Sequence, residues 1–208
     1  MLGYIFAIIS SLFFSLYIIP RKLSKLTPEL FSFLMSFGFF IGTVFIYLAF
    51  PSLHFTEQFT PILSWSVVAG LIWAISFISF VKSIDYLGLA RSNQWKNLQG
   101  PVGVLLALLI LGESAQANPY LSIIAAIFVF ISALAFTISN GLDKKVEETR
   151  GVVLALLSGL GFGTVAVIQK YVTSNVGVYT QQVVWSGTIF LSLLLYLLFK
   201  RSITNLIN

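Results

Sequence analysis

The sequence predicts an all-α membrane protein of about seven transmembrane helices, one five-helix unit plus the first two helices of an inverted repeat. Three observations carry that expectation. Hydrophobic residues fill 58% of the 208 positions and charged ones 9%, with a mean hydropathy of +0.96. A soluble globule is about one quarter charged. The apolar residues also fall into runs long enough, or nearly so, to cross about 30 Å of hydrocarbon at about 1.5 Å per residue. Finally, the stretch Gly3–Lys22 is written again, in diverged form, at Gly151–Lys170.

The runs lie near 2–20, 30–50, 62–82, 88–111, 119–140, 151–171 and 180–199. Pro28, Pro51, Pro61 and Pro119 stand in or beside the connections, where a missing amide donor does least harm. The first run has no basic residues ahead of it and is long enough to span, so it reads as a helix rather than a cleavable leader. Asn140–Arg150 is the one linker with a soluble composition, carrying Asp143, Lys144, Lys145, Glu147, Glu148 and Arg150. It divides a first unit (1–140) from a partial second unit (151–208), with 141–150 as the linker.

The repeat is specific in its matches. Gly3, Ala7, Ser10, Phe14 and Lys22 fall on Gly151, Ala155, Ser158, Phe162 and Lys170, and Ser11/Ser15 fall on Gly159/Gly163. One loop residue later, Gly38, Thr43, Tyr47 and Phe50 meet Gly187, Ser192, Tyr196 and Phe199. Five runs separate the starts of the copies, an odd number, so the second copy enters the bilayer upside down. Inverted repeats are the mark of carriers that alternate access by rocking one half against the other.

Basic residues set the expected orientation. Arg21, Lys22, Lys25, Lys82, Arg91, Lys96, Lys144, Lys145, Arg150, Lys200 and Arg201 fall on one side, and Lys170 alone on the other. By the positive-inside rule the N-terminus is outside, the C-terminus cytoplasmic, and the chain a multi-pass protein of the cell membrane. The net charge of +5 therefore reports topology, not a nucleic-acid partner, because no face gathers it.

Several function classes are set aside by composition. Without cysteines there are no disulfides or thiolate metal sites. The single histidine, His54, sits in the connection after the second run, and no carboxylate pair lies within a run, so the expectation is a non-enzyme without cofactor or metal. A retinal-type receptor would need a buried lysine in the last helix, where Val183–Phe199 has none. No nucleotide-binding loop is present.

Gly38–Gly42 and Gly159–Gly163 are small-xxx-small pairs that let helix backbones approach closely, a contact that serves either plain packing or a sliding seam. Trp65, Trp185 and Tyr120 suit interfacial anchoring, whereas Trp73, Trp95 and Tyr17 lie where they could line a cavity.

The fourth run is anomalous. Val102–Leu111 is too short to cross alone, so the helix must recruit the polar stretch Ala90–Pro101. At helical spacing Ser92, Lys96, Gln99 and Gly103 share one face, with Asn93, Asn97 and Gly100 beside it. Amides and an ammonium avoid facing lipid, where a charge costs about 2.5–3.5 kcal/mol on insertion scales. Arg91 reads as snorkelling to the headgroups; Lys96, farther in, reads as lining a wet cavity with Asn93, Asn97 and Gln99. Pro101 predicts a kink.

The same region carries a resemblance. The passage KSIDYLGLARSNQ from Lys82 to Gln94, then GPVGVL from Gly100, then LGE ending at Glu113, resembles the helix 3–4 signature of the drug/metabolite transporter superfamily, and more narrowly its bacterial glucose/ribose porter branch. The resemblance implies ten helices in two inverted five-helix units, a central solute and cation-coupled uptake. This chain carries only two helices of the second unit, which reads as a truncated chain, a site completed by a second polypeptide, or a homodimer sharing walls.

The candidate solute site is therefore Lys96, Asn93, Asn97 and Gln99 with Ser76, Ser79, Ser11 and Ser15; Ser83, Gln181 and Gln182 add further hydrogen-bonding groups. Neutral amides and hydroxyls beside aromatic faces suit a sugar or polyol, while Lys96 would suit a small organic anion. Asp85 and Glu113 are the carboxylates near membrane depth; as helix-end residues they read as structural caps, with coupling as the functional alternative. The expected partners are the bilayer and a small solute such as a sugar. A non-transporting membrane scaffold is the reading from another class.

Overall fold

A computed structural model describes residues 4–5, 8–9, 12–13, 16–54, 57, 59–112, 118–138 and 145–200. They form an all-α membrane protein. The helices are α1 (Ile19–Leu23), α2 (Pro28–Ala49), α3 (Ser64–Leu87), α4 (Leu89–Lys96), α5 (Gln99–Ile110), α6 (Pro119–Ile138), α7 (Lys145–Thr173) and α8 (Val178–Lys200). Of the first predicted run, residues 2–3, 6–7, 10–11 and 14–15 lie outside the described residues.

Helix starts follow local chemistry. Thr27 accepts the Leu30 amide at 3.3 Å while Pro28 takes the first helical position, where no donor is needed. Asn118 likewise accepts the Tyr120 amide at 3.0 Å ahead of Pro119. Helix α3 ends at Gly88, whose φ of 77° is the left-handed turn that lets the chain reverse into α4. Helix α7 begins at Lys145, inside the predicted linker, with Glu148 in its first turn, where the helix dipole favours negative charge.

Four described helices are long and apolar enough to cross a membrane: Pro28–Ala49, Pro61–Leu87, Glu148–Thr173 and Val178–Lys200. The predicted 88–111 span is instead two helices of eight and twelve residues, broken at Asn97–Leu98. Pro101 lacks an amide, and the chain answers two residues earlier with tighter bonds. Leu98 N donates to Trp95 O and Gly100 N to Asn97 O, each at 3.2 Å and each spanning three residues rather than four. Pro101 then sits in the first turn of α5, where its ring is tolerated.

Helices α3 and α7 form the centre of the bundle, flanked by the antiparallel pair α2/α8 on one side and by α4–α6 on the other. Burial follows this order: 56% of the α3 span is covered, against 22% for α2 and α8. The core is a run of rings and aliphatics on α3, Trp73, Phe77, Phe80 and Val81, packed on Phe162 and Val165 of α7 and Ile189 and Leu193 of α8.

Charges gather at one end of the bundle. Arg21 Nη2 bonds Asp85 Oδ1 at 2.5 Å and Arg21 Nη1 bonds the Leu26 carbonyl at 2.7 Å. Glu29, at the start of α2, receives Lys200 at 2.7 Å and Lys82 at 3.2 Å, and Arg91 pairs with Glu148. The opposite end is held by a carboxylate. Gly177 lacks the side chain that would cap α8, and Glu57 fills the role from another segment, accepting Thr180 N at 2.6 Å and Tyr179 N at 3.2 Å. Gly177 has φ 110°, and a Cβ there would collide with that carboxylate.

Candidate solute-binding site

The break in the fourth span decides where polar groups meet the core. Gly159 and Gly163 of α7 seat the broken segment directly. A Cβ on Gly159 would lie 3.1 Å from the Trp95 carbonyl and 3.2 Å from that of Lys96; one on Gly163 would lie 2.6 Å from Val102 Cγ1 and 3.0 Å from the Gln99 carbonyl. Helix α7 can press this close only because two of its turns carry no side chain. The close approach swings Gln99 into the bundle.

Gln99 projects into a cavity of ≈ 180 Å³ walled by Tyr17, Phe39, Trp73, Phe162 and Trp185, with Gln169 as its second amide. Trp73 is the hub. It stacks on Phe77 at 4.6 Å between ring centres, and meets Phe39, Phe162 and Trp185 edge-on, each at 5.7 Å. At about 30 Å³ per water the chamber holds about six waters, which is the bulk of one monosaccharide ring. Past Gln99, Phe162 and Ala166 it adjoins a larger groove of ≈ 610 Å³ between α5 and α7, floored by Gly100 and Gly103.

Two polar atoms of the chamber walls, Gln169 Nε2 and Trp185 Nε1, are buried without a hydrogen-bond partner among the described residues. One turn before Trp185, Gln181 is fully buried with both amide atoms in the same condition. Buried donors rarely go unpaired, because the desolvation they suffer costs about 1–3 kcal/mol each. Aromatic faces and unspent amide donors are the two features a polyhydroxylated ring uses.

The predicted site residues are dispersed. Gln99 lines both cavities. Lys96 is buried, 3% exposed, with Nζ 5.0 Å from the Phe80 ring centre and 5.9 Å from that of Phe162; it does not line the chamber that Phe162 helps wall. Asn93 is half-buried and Asn97 exposed at the break. Ser76 bonds the Ile72 carbonyl at 2.7 Å and packs against Gly161, and Ser79 bonds the Ile75 carbonyl at 2.8 Å beside a separate groove shared with Ser192 and Tyr196. Ser83 bonds the Phe80 carbonyl at 2.7 Å. Ser11, Ser15 and Glu113 lie outside the described residues. Asp85 is tied to Arg21 at the charged end.

Tyr17 and Trp73 line the chamber as expected of them, while Trp95 packs with Leu87, Leu98 and Ala155 instead. Trp185, expected at an interface, turns inward. Its depth was the available signal: seven residues into α8 carry it about 10 Å from the helix start. Gln169 was missed altogether, and an amide closing the apolar run of the sixth span was its sequence trace.

Fold and cavity define a membrane protein with a small, neutral, aromatic-walled chamber. Comparison with known proteins points the same way. Over 120 residues the chain is 27% identical to a protein of Priestia megaterium named "Probable glucose uptake protein GlcU", covering 54% of this chain and 42% of that one. The proteins of the same name from Bacillus cereus and Bacillus anthracis are 26% and 24% identical over 134 residues, 61% of this chain and 45% of theirs. The chain thus spans less than half the length of these relatives. No family model matches it, and no solved structure does.

Proposed function

We propose that the chain is part or all of a secondary carrier for a small neutral polyol, a monosaccharide of the glucose type, held in the Trp73 chamber. The observation that carries this reading is the chamber itself, with ring faces on several sides and two donors left unspent, the Gln169 amide and the Trp185 indole. Stacked rings cover the carbon face of a sugar, and amides bond its hydroxyls in both directions. The relatives named for glucose uptake support the same substrate class. The chamber walls are uncharged, which argues against an organic anion.

Alternating access is supported by the register of α2 and α8. Fourteen residues along α2, from Glu29 to Thr43, answer fourteen back along α8, from Lys200 to Ser186. With Gly38 paired to Gly187, that register crosses where Phe40 meets its own counterpart, Ile189, as a twofold axis between inverted copies requires; Phe40 packs on Phe190 at 5.3 Å. The broken fourth span beside the chamber fits the same scheme, since carriers build sites from interrupted helices. The basic bias supports an orientation with the charged end at the cytoplasmic face of the cell membrane. The groove between α5 and α7 is the wall that further helices, a partner chain or a second copy would complete.

Counterflow of labelled D-glucose into liposomes containing the chain tests the proposal. Uptake should occur in the wild type, and Gln99→Ala should lower it about tenfold, as expected when a hydrogen bond of about 1.4 kcal/mol is lost. Glucose flux no faster than in empty liposomes contradicts it.

A further inference from the structure

Helix α3 gives Trp73 and Phe77 to the core, and its opposite flank has a shape of its own. There Leu71, Ile75 and Ile78 face Leu193 and Tyr196 of α8 across a groove of ≈ 340 Å³. The two hydroxyls in its wall are spent within their own helices. Ser79 bonds the Ile75 carbonyl at 2.8 Å and Ser192 the Thr188 carbonyl at 2.6 Å, so a guest meets an apolar lining.

The groove ends at charge. The ring centre of Tyr196 lies 5.9 Å from Lys82 Nζ and 5.9 Å from Lys200 Nζ. Both ammoniums share one carboxylate oxygen, Glu29 Oε1, at 3.2 and 2.7 Å. The Glu29 side chain is 6% exposed, against 33% for Lys82 and 49% for Lys200, so the cluster turns its positive side outward. Two cations on one anion leave positive charge unspent. From Leu71 to Lys82 the helix rises about 16 Å, close to one leaflet of a hydrocarbon layer about 30 Å thick.

We infer that this groove is a binding site for one anionic phospholipid, with an acyl chain along Leu71–Ile78 and the headgroup phosphate on Lys82 and Lys200. A basic pocket between transmembrane helices is the arrangement that holds lipid phosphates. Snorkelling alone would spread the two ammoniums among headgroups in general. The apolar track below them, a leaflet deep, is what makes a site of the pair. A transmembrane helix seated there would have to bring a carboxylate of its own to the two lysines. The phosphate joins α3 to α8 where Glu29 of α2 already meets both. The site is separate from the chamber and independent of what the chamber binds.

The test counts lipids retained by the full chain in native mass spectrometry, after release from micelles holding equal phosphatidylglycerol and phosphatidylcholine. The wild type should keep phosphatidylglycerol in preference by about fivefold, the worth of one net positive charge at a lipid surface. Lys82→Gln combined with Lys200→Gln should bring the two lipids to parity. Ile75 is 69% exposed, and Ile75→Trp fills the groove without touching the core. That variant should lose the retained phosphatidylglycerol while its thermal unfolding in detergent stays unchanged, which keeps the test decisive where the double variant does not fold. Equal retention by the wild type, a preference that survives in the double variant, or one untouched by Ile75→Trp overturns the site. Displacement by glycerol phosphate, a headgroup without chains, would make it an anion site only and overturn the lipid assignment. Wild-type dimers free of phosphatidylglycerol, with Ile75→Trp monomeric, would give the groove to a second copy and overturn it too.

Discussion

Two small-xxx-small pairs read alike in the sequence and meet opposite surroundings. Around Gly38 and Gly42 of α2 nothing among the described residues comes within 4 Å of where a Cβ would stand. Around Gly159 and Gly163 of α7 the backbone of the broken fourth span is in contact. A glycine pair states that a backbone can approach. Which helix uses the permission depends on where the chain has an irregular segment to seat, and here that segment is Trp95–Val102. The dense contact is the one that shapes the chamber; the open pair faces away from it.

The sharpest way to break this contrast is to fill both positions. Gly163→Val drives methyl groups into Val102 and the Gln99 carbonyl, and a backbone carbonyl cannot step aside as a flexible side chain would. Overpacking of this kind costs about 1–3 kcal/mol or more. Thermal unfolding in detergent should show a clear loss for Gly163→Val and little change for Gly38→Val. Equal losses would mean that α7 does not carry the fourth span on its glycines.

A smaller effect separates two turn glycines. Gly177→Ala suffers both an unfavourable φ and collision with Glu57, whereas Gly88→Ala suffers the φ alone. The first should lose about 1–3 kcal/mol and exceed the second in the same assay. The reverse order would remove Glu57 from the capping role.

The smallest effect concerns pH. Burial alone would raise the Glu57 carboxyl, but hydrogen bonds from the Thr180 and Tyr179 amides outweigh it and hold the group below its ordinary value. A depressed carboxylate contributes stability above its unfolded value and loses it as pH falls through the folded one. Wild-type stability should therefore decline on the acid side of about pH 4 with a component absent from Glu57→Gln. Identical acid profiles would contradict the clasp.

Much of this fold was legible because the bilayer allows few answers: apolar length sets spans, and proline, glycine and threonine mark their ends. The anomaly at residues 88–111 was visible as a length deficit, and Gln99 followed from it. What the sequence could not place was the contact partner of each face. Helical spacing put Lys96 and Gln99 together, but the break at Asn97–Leu98 re-aims everything after it, so Gln99 enters the chamber while Lys96 rests over the rings of Phe80 and Phe162. Ser76 and Ser79 looked available as hydroxyls, yet within a helix each is spent on the carbonyl four residues back. Trp185 and Gln169 are near helix ends in sequence and face inward only because α3, α7 and α8 converge there.

The chamber as solute site is tested most directly by a single accessible cysteine, since the chain has none of its own. Ala166 lines both the chamber and the groove beside it. Ala166→Cys should react with a small methanethiosulfonate reagent, and saturating D-glucose should slow that reaction while leaving Gly42→Cys unaffected. Labelling of Ala166→Cys at the same rate with and without glucose would contradict the account.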